Sequence, residues 1–247
     1  MQPITLGPTP EDSALERYAS RVAILMPSFG TCPFRLENER TTKHWYAARN
    51  LSVFPGTDQA TSGFFSRARA INTAARAAYR TSPERDIYIL ADNDLIPSVP
   101  HLVEALAAAN SYSAITPHLT TLHTSHAGRE HLLNGNTTFL YRPKESGSKS
   151  YVVIRREVFA HINGMDELFE GWGPEDKAFL LNIHHQLGNV LELDGARTHL
   201  WHPGDRSKAN RTQLMHNRNR CKQYEHANQP TATLLAKEYG HWLERDQ

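Results

Sequence analysis

The chain has 247 residues, of which 39% are hydrophobic and 21% charged, a balance that is typical of a globular protein and excludes a disordered one. Its 27 lysines and arginines nearly cancel its 26 acidic residues, which excludes a protein that coats nucleic acid through overall positive charge. The two cysteines, Cys32 and Cys221, exclude a disulfide scaffold and a zinc site made of several cysteines, whereas the 14 histidines leave a His-ligated metal possible.

Apolar runs and helix-forming stretches alternate along the chain. Strands are predicted at residues 22–26, 86–91, 114–116, 151–154 and 189–193, and helices at 66–80, 99–109, 156–162 and 175–187. This alternation predicts an α/β fold with a mostly parallel central sheet flanked by helices. Residues 1–20 are expected to be a lead, followed by one domain over residues 21–247 with a helical extension from about residue 205.

Two segments have no clear prediction. Residues 31–63 are mixed in character, and residues 117–150 are polar and rich in histidine, with His118, His123, His126 and His131. We expect 117–150 to be a long loop, and loops of this length are often functional.

The apolar runs are strand-sized, well short of the roughly 20 residues that a membrane-spanning helix needs. Residues 1–21 are polar and lack the basic start and apolar run of a signal peptide. We therefore expect a soluble protein of the cytoplasm, which is the host's cytoplasm for a viral protein.

Two acidic residues, Asp92 and Asp94, follow the predicted strand at 86–91. Carboxylates at this spacing can hold a hard divalent cation that bridges phosphate oxygens. The alternative is a pair of aspartates that only make local hydrogen bonds in a loop.

A second candidate for metal binding is the pair His199 and His202, on either side of Trp201. Two polar histidines without a ligand are the simpler interpretation of this pair alone. Combined with Asp92 and Asp94, a carboxylate and imidazole set suits Mn²⁺ or Mg²⁺, whereas zinc favours more nitrogen or sulfur ligands.

The segment 171–176 reads Gly-Trp-Gly-Pro-Glu-Asp and opens a predicted helix. Trp172 offers a flat surface that can stack on a sugar or a base, and Asp176 is a candidate general base toward a hydroxyl. The alternative is an ordinary helix start with a core tryptophan. Another helix start, at residues 65–72, is rich in arginine and can meet a diphosphate, or can simply be a solvated face.

Taken in order, these segments resemble the GT-A glycosyltransferases, and most closely the catalytic domain of the beta-1,4-galactosyltransferase family. The matching stretches are 65–72, 92–97, 162–165, 171–176 and 199–202, and the resemblance runs from about residue 22 to 210. It implies a metal-dependent, inverting transfer of a sugar from a nucleotide diphosphate, most simply a UDP-sugar, to a hydroxyl acceptor, with Mn²⁺ or Mg²⁺ as cofactor.

The resemblance also implies roles for individual residues. The metal ligands would be Asp94, His202 and His199, the last at a position where the family has methionine. The catalytic base would be Asp176, and the acceptor and donor-sugar site would include Glu175, Trp172 and Gly173. The implied nucleotide-binding residues are Pro27, Arg35, Phe65, Arg67, Asn72 and Asp92.

The chain departs from the family at several places. The family's Pro-Phe-Arg-Asn-Arg corresponds to residues 27–30, Pro-Ser-Phe-Gly, and Arg35 is the candidate replacement for those arginines. The family's Tyr-Phe-Gly-Gly corresponds to residues 147–150, Gly-Ser-Lys-Ser, so the identity of the donor sugar does not transfer.

Two other functions are open from the sequence. A sugar nucleotidyltransferase shares the Asp92 and Asp94 pair but has no need of segment 171–176 or His202. A nucleic-acid-binding module would use residues 197–222, which carry seven lysines and arginines and a single acid. This basic stretch also makes hydroxymethylated bases in phage-type DNA a candidate acceptor, beside a saccharide or glycoconjugate.

Overall fold

The computed structural model describes residues 6, 9–29, 32–58, 64–135, 141–145, 149–203, 210–238 and 243, with backbone only for 141–145. The strands are β1 (Val22–Pro27), β2 (Ser52–Gly56), β3 (Ile87–Leu90), β4 (Leu95–Pro97), β5 (Ala114–Thr116), β6 (Thr120–Thr124), β7 (Tyr141–Glu145), β8 (Val152–Arg155), β9 (Val190–Glu192) and β10 (Ala196–His199). The helices are α1 (Ser13–Glu16), α2 (Pro33–Ala47), α3 (Arg67–Thr81), α4 (Val99–Ala108), α5 (His126–Leu133), α6 (Arg156–His161), α7 (Glu175–Leu187), α8 (Arg211–Glu225) and α9 (Gln229–Glu238).

The predicted α/β architecture with a central sheet is confirmed. A six-stranded sheet has the order β2-β1-β3-β8-β5-β9. Strand β1 pairs in parallel with both β2 and β3, and β5 pairs in parallel with β9. Strand β8 runs antiparallel between β3 and β5, so the sheet is mixed where β8 is inserted.

A second, four-stranded sheet has the order β4-β10-β6-β7 and brings distant parts of the chain together. Strand β10 pairs with β4, which follows the Asp92 and Asp94 loop, so that His199 lies opposite Leu95. On its other side β10 pairs in parallel with β6, and His199 lies opposite His123. This small sheet is the reason that the acidic loop and the histidine pair meet.

The expectation of a loop over residues 117–150 is therefore wrong, because it contains β6, α5 and the backbone of β7. The unassigned stretch 31–63 likewise contains α2 and β2. Helix α2 begins with Pro33 at its first position, where a missing N–H costs nothing.

The core lies on both faces of β1, all six residues of which are buried. Ile24 and Met26 pack in one hydrophobic cluster, and Ala23 and Leu25 in the cluster on the other face. Helix α3 closes the second cluster with a stripe of alanines. Its approach requires Gly56, since a Cβ atom there would lie 1.9 Å from the carbonyl oxygen of Ala70.

The described part of the N-terminal lead packs onto the domain. Leu15 is fully buried in the core. Asp12 accepts a 2.9 Å hydrogen bond from Nε of Arg49, and both side chains are buried.

At the other end of the chain, α8 begins at Arg211 with Asn210 as its cap, whose side chain accepts from the backbone N–H of Thr212 and of Gln213. The sequence also predicts Asp205 as a cap of this helical segment, but residue 205 lies outside the described residues. None of the helices in the described part of the chain combines the length and the apolar character that a membrane crossing requires.

Candidate active site

The acidic loop between β3 and β4 lies at the carboxyl end of the parallel strands, where α/β sheets bind ligands. Asp94 is buried and Asp92 is partly exposed. Between them, Asn93 points toward α2 and donates a 3.1 Å hydrogen bond to Glu39. The backbone carbonyl of Asp94 accepts from the N–H of Leu200 at 2.9 Å, which ties the loop to the segment after β10.

The three predicted metal ligands lie close together. Oδ2 of Asp94 lies 3.1 Å from Nε2 of His202 and 3.6 Å from Nε2 of His199. One ligand atom from each residue lies within 4.8 Å of the others. A carboxylate with two imidazoles is a donor set that fits a divalent transition metal such as Mn²⁺.

The electrostatics of this set favour an anionic Asp94. Burial alone would raise the pKa of Asp94, but His199, His202 and Arg35 together lower it to about 2. Burial would lower the pKa of His202, and its hydrogen bonds with Asp94 and the carbonyl of Pro203 raise it overall. The carboxylate is therefore ionised and available to a cation over the whole physiological range.

Arg35 and an aromatic pair border this cluster. Nη1 of Arg35 lies 4.0 Å from Oδ2 of Asp94, and its guanidinium lies 5.6 Å from the centre of the Phe29 ring. The rings of Phe29 and Phe65 are 4.3 Å apart. Pro27, the last residue of β1, is buried two residues before Phe29. Three of the predicted nucleotide-binding residues thus lie at this edge of the site.

Arg67, at the first position of α3, joins the remaining acidic residues. Its Nε donates to Asp92 and its Nη1 to Asp176, each at 2.6 Å, and Nη2 donates to the carbonyl of Ser150 at 2.8 Å. Burial opposes the charged guanidinium, but Asp176 and Asp92 outweigh it and raise the pKa of Arg67. This arginine holds the predicted base and the acidic loop in one network.

Glu175 and Asp176 begin α7 and have different environments. Burial first, and then the charge of Asp176, raise the pKa of Glu175 to about 8, although Arg67 acts in the opposite direction. Its Oε2 is buried and has no hydrogen-bond partner among the described residues. The raised pKa favours a protonated carboxyl at Glu175, directly beside Asp176.

The tryptophan of segment 171–176 is exposed, not part of the core. Trp172 has 59% of its surface accessible. Asn217 on α8 donates hydrogen bonds to the carbonyls of Glu170 at 2.7 Å and Trp172 at 3.1 Å. A Cβ atom at Gly173 would lie 2.7 Å from Nδ2 of Asn217, so this close contact requires glycine. The contribution of Asn217 was missed, because nothing in a polar helix marks one asparagine as a support.

Asn72, predicted to bind nucleotide, is fully buried. Its side chain donates to the carbonyl of Met165 at 2.9 Å and to Glu167 at 2.8 Å, and accepts from the N–H of Met165 at 2.9 Å. These contacts hold the loop that precedes the tryptophan segment.

Arg197 is a buried residue near the site that was not predicted from the sequence. It is 2% exposed on β10, and its Nε donates to Thr121 at 3.1 Å. Burial lowers the pKa of Arg197, while Asp92 and Asp176 act to raise it. Arg197 and His199 are two residues apart and therefore fall on one face of β10. This spacing was the sequence signal that could have found Arg197.

The described part of the basic stretch 197–222 contains buried as well as exposed basic side chains. Arg197 is buried, and so is Arg220, which donates to Asp166 at 2.7 Å and pairs with Glu238. Within the described residues the exposed basic side chains of this stretch are Arg211, Arg218 and Lys222. Arg206 and Lys208 lie outside the described residues. Helix α8 thus uses one of its arginines, Arg220, to pack against other parts of the chain.

The segment that contains Asp176, His199 and His202 also matches a known protein family. A family model described as the N-terminal domain of galactosyltransferase matches residues 140–203. No match was found among curated protein sequences.

Several solved structures are similar to this chain at low sequence identity. The catalytic domain of Drosophila beta1,4-galactosyltransferase 7, crystallised with xylobiose, has a TM-score of 0.53 and 18% identity, covering 84% of this chain and 81% of that chain. A mutant of the same enzyme with manganese, UDP-Gal and xylobiose has a TM-score of 0.48 and 18% identity, covering 77% of this chain and 79% of that one. Glucosyl-3-phosphoglycerate synthase from Mycobacterium tuberculosis, with Mn²⁺ and UDP-glucose, has a TM-score of 0.42 and 16% identity, covering 82% and 79%.

Only the first of these structures has a TM-score above 0.5. Its fold, and the galactosyltransferase match over the segment with Asp176, His199 and His202, support a glycosyltransferase of the GT-A fold.

Proposed function

We propose that the protein transfers a sugar from a UDP-sugar to a hydroxyl acceptor, with a divalent metal and with inversion at the anomeric carbon. The observation that carries this proposal is the convergence of two groups of side chains. Asp94, His199 and His202 each offer one ligand atom, and these atoms lie within 4.8 Å of one another. Arg67 links the same acidic loop to Asp176 through two 2.6 Å contacts.

In the proposed mechanism, Asp94, His199 and His202 hold the metal, and Mn²⁺ is the cation best suited to them. When bound, such a cation neutralises charge on the diphosphate and stabilises the UDP leaving group. Arg35 and Arg67 add positive charge at the same edge of the sheet, where the diphosphate is expected to lie.

Asp176 is the proposed base. Its carboxylate takes the proton of the acceptor hydroxyl while that oxygen forms a bond with the anomeric carbon. The bond between that carbon and the diphosphate oxygen breaks on the opposite face, and UDP leaves with the electron pair. Attack and departure on opposite faces in a single displacement invert the anomeric configuration.

Glu175 and Trp172 are proposed to bind the sugars. The protonated carboxyl of Glu175 is suited to donate a hydrogen bond to an acceptor oxygen. Trp172 offers an exposed ring on a segment fixed at both sides by Asn217. A flat aromatic face of this kind stacks on the apolar face of a sugar ring.

A saccharide or glycoconjugate is the proposed acceptor. The matched Drosophila structure holds xylobiose, which supports a sugar at the corresponding place. The burial of Arg197 and Arg220, two of the seven basic residues of stretch 197–222, weakens the argument for a hydroxymethylated DNA base. Hydroxymethylated DNA is kept as one of the acceptors in the experiment.

The experiment is an acceptor and donor screen with Mn²⁺ in which products are identified by mass spectrometry. Donors are UDP-glucose, UDP-galactose and their N-acetylated forms, and acceptors are glycosides of xylose, glucose and N-acetylglucosamine and a hydroxymethylated DNA duplex. We expect UDP release with a new glycosidic bond on a saccharide, of opposite anomeric configuration to the donor by NMR. Products of pyrophosphate release would instead indicate a nucleotidyltransferase, and a retained configuration would contradict the inverting mechanism.

A further inference from the structure

The backbone that carries the two candidate metal histidines is held by side chains from other elements. Residues 199–201 lie at and just beyond the end of β10, where the strand no longer supplies regular partners. The N–H of Leu200 donates to the carbonyl of Asp94 at 2.9 Å. The carbonyls of His199, Leu200 and Trp201 and the N–H of Trp201 all bind side chains.

Thr124, the last residue of β6, bonds the segment twice. Its hydroxyl accepts the N–H of Trp201 at 2.8 Å and donates to the carbonyl of His199 at 3.3 Å. Thr124 is 4% exposed, so water does not readily replace these bonds. One hydroxyl therefore fixes the peptide groups on both sides of Leu200, between the two histidines.

Asn38, on α2, holds the same segment from another direction. Its amide nitrogen donates to the carbonyls of Leu200 at 3.3 Å and Trp201 at 3.2 Å. Its amide oxygen accepts from Nε of Arg129 at 2.7 Å, which fixes the orientation of the amide. Arg129 is itself fully buried and held by Glu37 at 2.6 Å and by Glu130.

The imidazole of His123 also packs against the site. His123 lies opposite His199 in the parallel pairing of β6 and β10. Their ring centres are 4.9 Å apart with an angle of 44° between the planes. Strand β6 thus contacts the backbone beyond His199 through Thr124 and the ring of His199 through His123.

We propose that Thr124 and Asn38 are positioning residues for the metal centre, which set the imidazoles of His199 and His202 against the carboxylate of Asp94. The inference rests on the metal site of the proposed function. Groups that orient metal ligands without touching the metal typically change its affinity by about 10- to 100-fold when they are removed. The histidine-rich segment 117–150 thereby has a specific role, because its strand β6 carries Thr124.

The experiment measures binding of Mn²⁺ alone by calorimetry, together with the melting temperature of the metal-free protein. Thr124→Val keeps the shape of the side chain and removes both hydrogen bonds, and Thr124→Ser keeps the hydroxyl. Asn38→Asp keeps the acceptor for Arg129 and removes the donor to residues 200 and 201. The matched control is Thr198→Val on β10, since the hydroxyl of Thr198 is buried and has no hydrogen-bond partner within the described part of the chain.

We expect Thr124→Val and Asn38→Asp to raise the Kd for Mn²⁺ at least about tenfold. Thr124→Ser and Thr198→Val should bind within about twofold of the parent protein. A purely structural role would lower the melting temperature of the metal-free protein without raising Kd, and would overturn the proposal. So would equal weakening by Thr198→Val.

The variant Asp94→Asn distinguishes failure of the positioning role from failure of the metal site itself. If Asp94→Asn abolishes binding while Thr124→Val and Asn38→Asp bind normally, the positioning role is wrong and the metal site stands. If Asp94→Asn binds Mn²⁺ as the parent does, the metal site of the proposed function is wrong, and the positioning role falls with it.

Discussion

The guanidinium of Arg67 lies 2.6 Å from a carboxylate oxygen of Asp176, and a second of its nitrogens lies at the same distance from Asp92. One side chain therefore connects the start of α7 with the loop after β3. The proposed base and the proposed metal and nucleotide site share this arginine, so a change at Arg67 is expected to affect both.

Arg67→Lys is expected to lower kcat/KM by roughly 100-fold or more, since one ammonium group cannot reproduce the fork that binds both carboxylates. The free energy of unfolding should fall by about 2–3 kcal/mol, because two partly buried carboxylates lose their shared partner. Steady-state kinetics and urea denaturation measure the two effects.

The matched control for Arg67→Lys is Arg40→Lys, at an exposed position of α2. It should change neither quantity. Parent-like activity in Arg67→Lys would show that the link between Asp92 and Asp176 is not needed for turnover.

Asp176→Asn keeps the size of the side chain and removes its ability to accept a proton. We expect kcat to fall by about 100- to 10,000-fold, the range for loss of a general base. The Kd for UDP with Mn²⁺ should stay within a few-fold of the parent value, and calorimetry measures it. Asp194→Asn, at an exposed position before β10, is the control and should be fully active. If Asp176→Asn retained most of its kcat, another residue would have to be the base.

The raised pKa of Glu175, about 8, predicts a specific dependence of stability on pH. A carboxyl whose pKa is higher in the folded than in the unfolded state binds more protons when folded. Its contribution to stability is complete below the unfolded pKa and is lost as the pH rises through the folded value. The parent protein should therefore lose stability between about pH 5 and pH 8 relative to Glu175→Gln, which is neutral throughout.

Melting temperatures of the parent and Glu175→Gln across this pH range test the prediction. The difference between the two should change by at least about 2 °C in favour of the variant, since about 1 kcal/mol shifts the melting temperature of a domain of this size by roughly 2–4 °C. Parallel curves would mean that Glu175 is ionised in the folded protein, as it is in the unfolded chain.

The parts of the fold that could be predicted from the sequence are those that the core dictates. The continuous apolar runs of β1 and β3 and the alanine-rich α3 bury most of their residues, so hydrophobic pattern alone locates them. Residue type and order also predicted Asp94, His202 and Asp176 as site residues, and the structure brings Asp94 and His202 within 3.1 Å of each other.

The elements that could not be predicted from the sequence carry many polar residues, because they lie beside the candidate site. Strands β6 and β10 read Thr-Thr-Leu-His-Thr and Ala-Arg-Thr-His, and these mostly polar segments pair with each other beside the site. Helix α2 buries Asn38 and Glu39 as well as aromatic residues, which removes the apolar stripe of an ordinary helix. The full burial of Arg129 likewise depends on partners that only the folded chain brings together.

Metal-dependent release of UDP tests the assignment of this site most directly. The measurement is the rate of UDP formation from the donor and acceptor pair found in the screen, with Mn²⁺ or with a chelator, for the parent protein and Asp94→Asn. We predict rapid release by the parent protein with Mn²⁺, and at least about a 100-fold loss both with the chelator and in Asp94→Asn. UDP release that continues undiminished in the chelator and in Asp94→Asn would contradict a metal centre formed by Asp94, His199 and His202.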